Sequence, residues 1–169
     1  MTKKPGKAQV FREVVRAAIH LDLKRGHQKW TMAQLARVSG VSRPLIYYYF
    51  GKSKLQILIE AAKVFGGELA GFTDEKKNYW DEGRIDASLT HSRKLLQEIP
   101  GLAAWYFLNR DSKNEIAATI KKIEKEHVLK IKKYLPQATE DQVIAIFSMF
   151  FGISFSPLGT PATAKEAVT

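Results

Sequence analysis

Thr31-Met32-Ala33-Gln34-Leu35-Ala36, then Gly40-Val41-Ser42, then Arg43-Pro44-Leu45-Ile46-Tyr47-Tyr48-Tyr49-Phe50 decides the reading of this 169-residue chain. Two short helices are expected, one over 32–38 and one from 43 through the aromatic block, with a tight turn at Ser39-Gly40-Val41. Thr31 and Ser42 stand where a hydroxyl N-cap accepts a free backbone N–H of the first turn. Pro44 falls in that first turn, where its missing N–H costs nothing. Gly40 permits positive φ, and Ala36 lets the helices approach. Leu35, Val41 and Ile46 then form an apolar wedge that fixes the angle between them. Such a helix-turn-helix presents its second helix to a DNA major groove, whose width admits one helix.

Working outward, the periodicity is helical throughout, and no alternating run argues for a strand. Phe11, Val14, Ala18 and Leu21 mark an amphipathic helix over about 7–24, closed by Gly26. Ser53 caps a helix carrying Leu55, Leu58, Ala62, Phe65 and Leu69. The polar stretch 73–83 reads as a connection. Ile85, Leu89, Ser92, Leu96 and Ile99 give another helix, broken by Pro100-Gly101. A short apolar helix around Trp105-Tyr106-Phe107-Leu108 follows. Ser112 is expected to cap a long helix to about Tyr134, and Thr139 to cap a last one that is apolar on nearly every face. The fold class is all-α. A DNA-binding domain is expected over 1–54, a connecting helix over 55–71 and a helical domain over 72–169.

Charge is segregated. Residues 1–56 hold twelve basic and two acidic residues, while 57–169 hold equal numbers of each, so the whole net charge of +10 sits in the first third. A segment of this kind attracts a polyanion by neutralising phosphates and releasing counterions; a solvated basic face is the bland reading. There is no cysteine, which rules out disulfides and thiolate metal sites and suits a reducing cytoplasm. The N-terminus lacks the apolar core of a signal peptide. The charge-free run from Val143 to Pro157 is shorter than the ~18 residues of a membrane span, so no membrane partner is expected.

The quoted motif closely resembles the DNA-binding domain of the tetracycline-repressor (TetR) family over about residues 7–65. The resemblance implies three N-terminal helices that bind DNA, and a C-terminal helical domain that binds a small-molecule effector and dimerises. It implies a repressor on a palindromic operator, and a phosphate contact from the Tyr47 hydroxyl. The family's lysine three residues after the phenylalanine is Ser53 here, flanked by Lys52 and Lys54, and either lysine can take its place. On the residues themselves, Arg43, Pro44, Leu45 and Tyr48 lie on or near the outward face of the second helix. Arg43 suits a guanine edge or a phosphate, and Pro44 or Leu45 a thymine methyl. Thr31 and Ser42 bring helix N-termini toward phosphates. Lys3, Lys4 and Lys7 form a basic arm.

Catalysis has little support. His20, His27, His91 and His127 show no metal-ligand spacing, and Gly66-Gly67 lacks the lysine and hydroxyl of a P-loop. No cofactor and no metal are expected. Trp80, His91, Trp105 and Tyr106 either line an effector pocket or fill a core. Phe147, Phe150, Phe151 and Ser154, on the last helix, are expected to face a second copy, with Gly152 permitting close approach. The competing readings are a DNA-binding protein without an effector, and a small helical enzyme or carrier with an incidental basic N-terminus.

Overall fold

The computed structural model describes residues 6–71 and 73–156; Lys3, Lys4 and the tail from Pro157 lie outside them. All regular structure among the described residues is helical. In chain order the helices are α1 (Lys7–Arg25), α2 (Met32–Ser39), α3 (Arg43–Phe50), α4 (Lys54–Ala61), α5 (Asp74–Asp81), α6 (Ile85–Glu98), α7 (Leu102–Arg110), α8 (Glu115–Tyr134) and α9 (Glu140–Phe155). Beyond Ala61, α4 widens into an i→i+5 turn at Ala62–Gly66 and ends in the short helix Gly67–Leu69. The chain forms two compact units, Met1–Val64 with Ile99–Thr119, and Phe65–Glu98 with Ile120–Thr169.

In the first unit α1 buries Val14, Ala18 and Leu21 of the expected stripe, while Phe11 is half-buried and Val10 is buried beside it. Gly26 closes it at φ 93°, with its N–H on the Asp22 carbonyl. Thr31 and Gln34 form a reciprocal capping box at the start of α2: the hydroxyl accepts from the Gln34 N–H and the Gln34 side chain accepts from the Thr31 N–H. Gly40 takes the left-handed conformation at φ 67°. Ser39 braces the turn, accepting from the Val41 N–H at 3.2 Å. Leu35, Val41 and Ile46 are all buried, as the wedge requires. Ser53 caps α4 through the Gln56 N–H.

Ser42 departs from expectation. It holds the cap position, but its hydroxyl takes no bond from the helix. A cap hydroxyl serves the second or third N–H of a helix, and Pro44 removes the second. Ser112 is a second correction: its hydroxyl donates back to the Asn109 carbonyl, and α8 is capped instead by Asn114 Oδ1 on the Ala117 N–H.

In the second unit the stretch read as a connection contains α5. Thr73 caps it through the Lys76 N–H, and Tyr79–Glu75 and Lys77–Asp81 pair one turn apart on its exposed side. Its buried residues, Lys76 and Trp80, are also one turn apart. A helix whose inward face holds a lysine shows no apolar period, which is why its sequence reads as polar. Trp80 packs edge-on against Phe150, and together with Leu89, Ile131 and Val143 they form the unit's core. Thr139 and Gln142 make a second capping box at the start of α9.

Candidate nucleic-acid interface

Helix α3 is set by its buried side and read from its exposed side. Ile46 and Phe50 face inward, and Phe11 of α1 holds the Phe50 and Tyr49 rings at 4.4 and 5.6 Å. Ser42, Arg43 and Pro44 are exposed, Leu45 and Tyr47 are half-buried, and Tyr48 keeps 79% of its surface. Tyr48 is therefore not part of the core. Thr31 stands exposed at the N-terminus of α2, where free N–H groups favour an anion.

The two candidate lysines separate. Lys54 is engaged within the chain: Nζ donates to the Gln28 carbonyl at 2.7 Å and lies 5.7 Å from the centre of the Trp30 ring. Lys52 is exposed, its Nζ 5.8 Å from the centre of the Tyr47 ring, which sets a cation beside the tyrosine.

Sequence reasoning missed Asp22. Its buried carboxylate accepts from the Gln28 N–H at 2.7 Å, from Trp30 Nε1 at 3.2 Å and from Trp105 Nε1 at 3.1 Å, and His27 Nδ1 lies 3.1 Å away. Gln28 sits at φ 56°, the one described non-glycine residue in that region. Such a conformation is costly for an L-residue, and here it is held from both sides, the N–H by Asp22 and the carbonyl by Lys54. The result fixes the segment that leads into α2. Asp22 is one of only two acidic residues in the basic segment and abuts the apolar stripe of α1, the signal from which it was findable.

The second unit holds a small cavity of about 20 Å³, lined among others by Lys76, Trp80, Ser88, His127, Phe147 and Phe151. Of the residues expected to form a pocket, Trp80 lines it. His91 does not: its Nδ1 stands 3.5 Å from Glu75. Trp105 and Tyr106 are buried in the first unit, Trp105 on Asp22. The residues expected to face a second copy, Phe147, Phe150, Phe151 and Ser154, also line this cavity; Phe150 and Ser154 are buried, and the Ser154 hydroxyl donates to the Phe150 carbonyl. The side of α9 left exposed carries Ile144, Ala145, Ser148 and Gly152.

Burial pushes the Lys76 ammonium down to about 7, with Glu68 opposing, and pushes His127 down to about 3, with the nearby Lys76 adding to the effect. His127 Nδ1 bonds the Ala70 carbonyl. Among the described residues no group of three acidic or histidine side chains stands close enough to hold a metal ion, and no helix is long and apolar enough to cross a membrane.

With this geometry in view, residues 14–61 match the model of the bacterial regulatory proteins of the tetR family. Over these residues the chain is similar to the tetR family. The match runs from Val14 in α1 to the end of α4, the elements that build and support the helix-turn-helix. The whole chain is similar in fold to the fatty acid degradation regulator FadR from Bacillus halodurans, at 17% identity over 99% of this chain and 89% of that one, with a TM-score of 0.59. An HlyIIR mutant protein matches at 15% identity over 97% of this chain and 96% of that one, with a TM-score of 0.49. No curated protein matches the sequence.

Proposed function

We propose that this chain is a tetR-family ligand-responsive repressor, not an enzyme, that acts in the cytoplasm and binds a palindromic operator as a homodimer. The observation that carries the reading is α3, a short helix with a fixed buried side and an exposed side of Arg43, Pro44 and Tyr48, in the segment that holds the chain's entire excess charge. Arg43 reads a base edge and Tyr48 and Leu45 pack in the groove. Tyr47 and Lys52 hold one phosphate, and the N-terminus of α2 at Thr31 holds another. Lys54 supports the scaffold through Gln28. Dimerisation runs through the Ile144, Ala145, Ser148 and Gly152 side of α9, where a Cβ added at Gly152 meets nothing within 4 Å and two backbones can approach closely. Twofold symmetry then matches the symmetry of a palindrome. The cavity of the second unit is the effector site.

Selection of bound duplexes from random DNA, followed by footprinting, tests this reading. A short palindrome with sharp protection is expected. Broad protection without a preferred sequence points to an architectural protein instead, and the absence of protection sinks the proposal.

A further inference from the structure

We propose that the cavity of the second unit takes a small amphipathic monocarboxylate, its carboxylate on Lys76 and its apolar body against Trp80, Phe147 and Phe151. The proposal rests on reading this cavity as the effector site and adds the chemistry of what enters it.

The case begins with Lys76, which keeps only 2% of its surface. Lysine is almost never buried to this extent unless paired. Here its partners are two backbone carbonyls, Leu69 at 2.9 Å and Gly71 at 3.4 Å, and it forms no ion pair with a carboxylate among the described residues. A charged ammonium has three donors, so two carbonyls leave one donor unused, and the field of Glu68 offsets only part of the cost of burying the charge. The carbonyls are held in place by steric necessity: a Cβ at Gly71 would lie 2.5 Å from the Gly67 oxygen, so the chain closes tightly there only with glycine. Ser88, also on the cavity wall and buried, makes no hydroxyl hydrogen bond among the described residues. Both groups suit an acceptor that arrives from outside. The remaining wall is aromatic and aliphatic, which sets the character of the body.

The charge of the ligand follows from what surrounds Lys76. A cation is repelled. A dianion finds one cation only, because His127 is neutral at physiological pH, and Glu68 repels further negative charge. A monoanion matches one ammonium and one hydroxyl. At about 20 Å³ the closed cavity has room for about one water, so a ligand enters only when its aromatic side chains move apart, and binding selects a more open state.

The test uses the full chain, with octanoate, octanol and octylamine as probes in isothermal titration calorimetry. Octanoate is expected to bind about tenfold or more tighter than octanol, the value of one charge-assisted contact, and octylamine weakest. Lys76→Met should bring octanoate to the level of octanol and leave octanol unchanged. A readout on the unaltered protein accompanies it. At about pH 8 the free Lys76 is largely neutral, so octanoate binding should take up a proton, seen as a heat that depends on the buffer; His127 stays neutral there. Equal affinity for octanoate and octanol, octanoate preference that survives Lys76→Met, or binding without proton uptake each overturns the proposal. Octanoate that binds in this way but leaves operator affinity unchanged supports the proposal and removes the ligand-responsive reading. Release of operator by octanol, with no preference for octanoate, keeps that reading and overturns this one.

Discussion

Arg43, Lys52 and Lys54 are all basic and close in sequence, yet their surroundings give them different work. Arg43 is free to present a bidentate donor pair to a guanine, and Arg43→Ala should cost about 1–3 kcal/mol and relax preference at one base position. Selection of bound sequences with the variant checks this; equal weakening on every sequence would make Arg43 a phosphate contact. Lys52→Ala should weaken all sequences alike and make the log–log salt slope shallower by about 1. Lys54→Met should leave that slope intact and lower the thermal midpoint, because it removes the cation that holds Gln28 in its left-handed conformation. Affinity measured against salt, with a melt of each variant, separates the two lysines. At the same scale His127 governs acid sensitivity. Its proton affinity is about 3 in the folded chain against an ordinary 6.5. Between those values the unfolded chain binds the extra proton, so stability is full above about pH 6.5 and falls progressively toward pH 3, by on the order of a few kcal/mol. Urea midpoints between pH 7 and pH 4 should fall in the wild type and fall less in His127→Asn; parallel curves would assign the acid sensitivity to other groups.

Elements are joined in the first unit by one carboxylate. Asp22, near the end of α1, binds the turn before α2 through Gln28 and Trp30, and binds α7 through Trp105. Hydrogen bonds to a charged group contribute about 1.5–3 kcal/mol each, and a buried donor left unmade costs a comparable amount. Asp22→Ala therefore leaves two indole N–H groups and one backbone N–H without their acceptor, and should cost about 3 kcal/mol or more by chemical denaturation. Since it also frees the turn that aims α2 and α3, operator affinity should fall under conditions where the variant is still fully folded. A loss of stability with affinity intact would limit Asp22 to a structural role. The second unit has a parallel case in α5. Its register was missed because the lysine that faces inward has no place in a hydrophobic pattern, whereas its cap, Thr73, was visible as a residue type.

For the whole molecule the question is which side of α9 meets a second copy. Composition alone makes this helix apolar all round, and such a helix must be covered. Within the chain, Val143, Phe150 and Ser154 are covered by the second unit itself, which leaves the Ile144, Ala145, Ser148 and Gly152 side. Ala145→Arg should therefore convert a dimer to a folded monomer, read by sedimentation equilibrium at micromolar concentration with helicity unchanged by circular dichroism. Phe150→Glu should instead lose helicity, because it places a charge in the core beside Trp80. A folded monomer from Phe150→Glu, or a dimer that survives Ala145→Arg, would return the interface to the aromatic side. Loss of the dimer should also weaken operator binding steeply, since each half-site is then bound alone.

What the sequence by itself determined is local. The N-caps at Thr31 and Thr139, the left-handed turn at Gly40, the wedge of Leu35, Val41 and Ile46, and the basic first third are all legible because each depends on residues within about one helical turn of one another, or on counting charge. The fold class and the helix-turn-helix follow from them. What only the tertiary structure decided is non-local. The Asp22–Trp105 bond joins residues 83 apart in the chain. Trp80 lines a cavity while Trp105 fills another core, and the two lysines flanking Ser53 divide into a scaffold residue and an exposed one. Lys76 is buried although its neighbours in sequence are charged. Periodicity records that a side chain faces inward, but not what it meets there; that depends on which distant segment the fold brings against it.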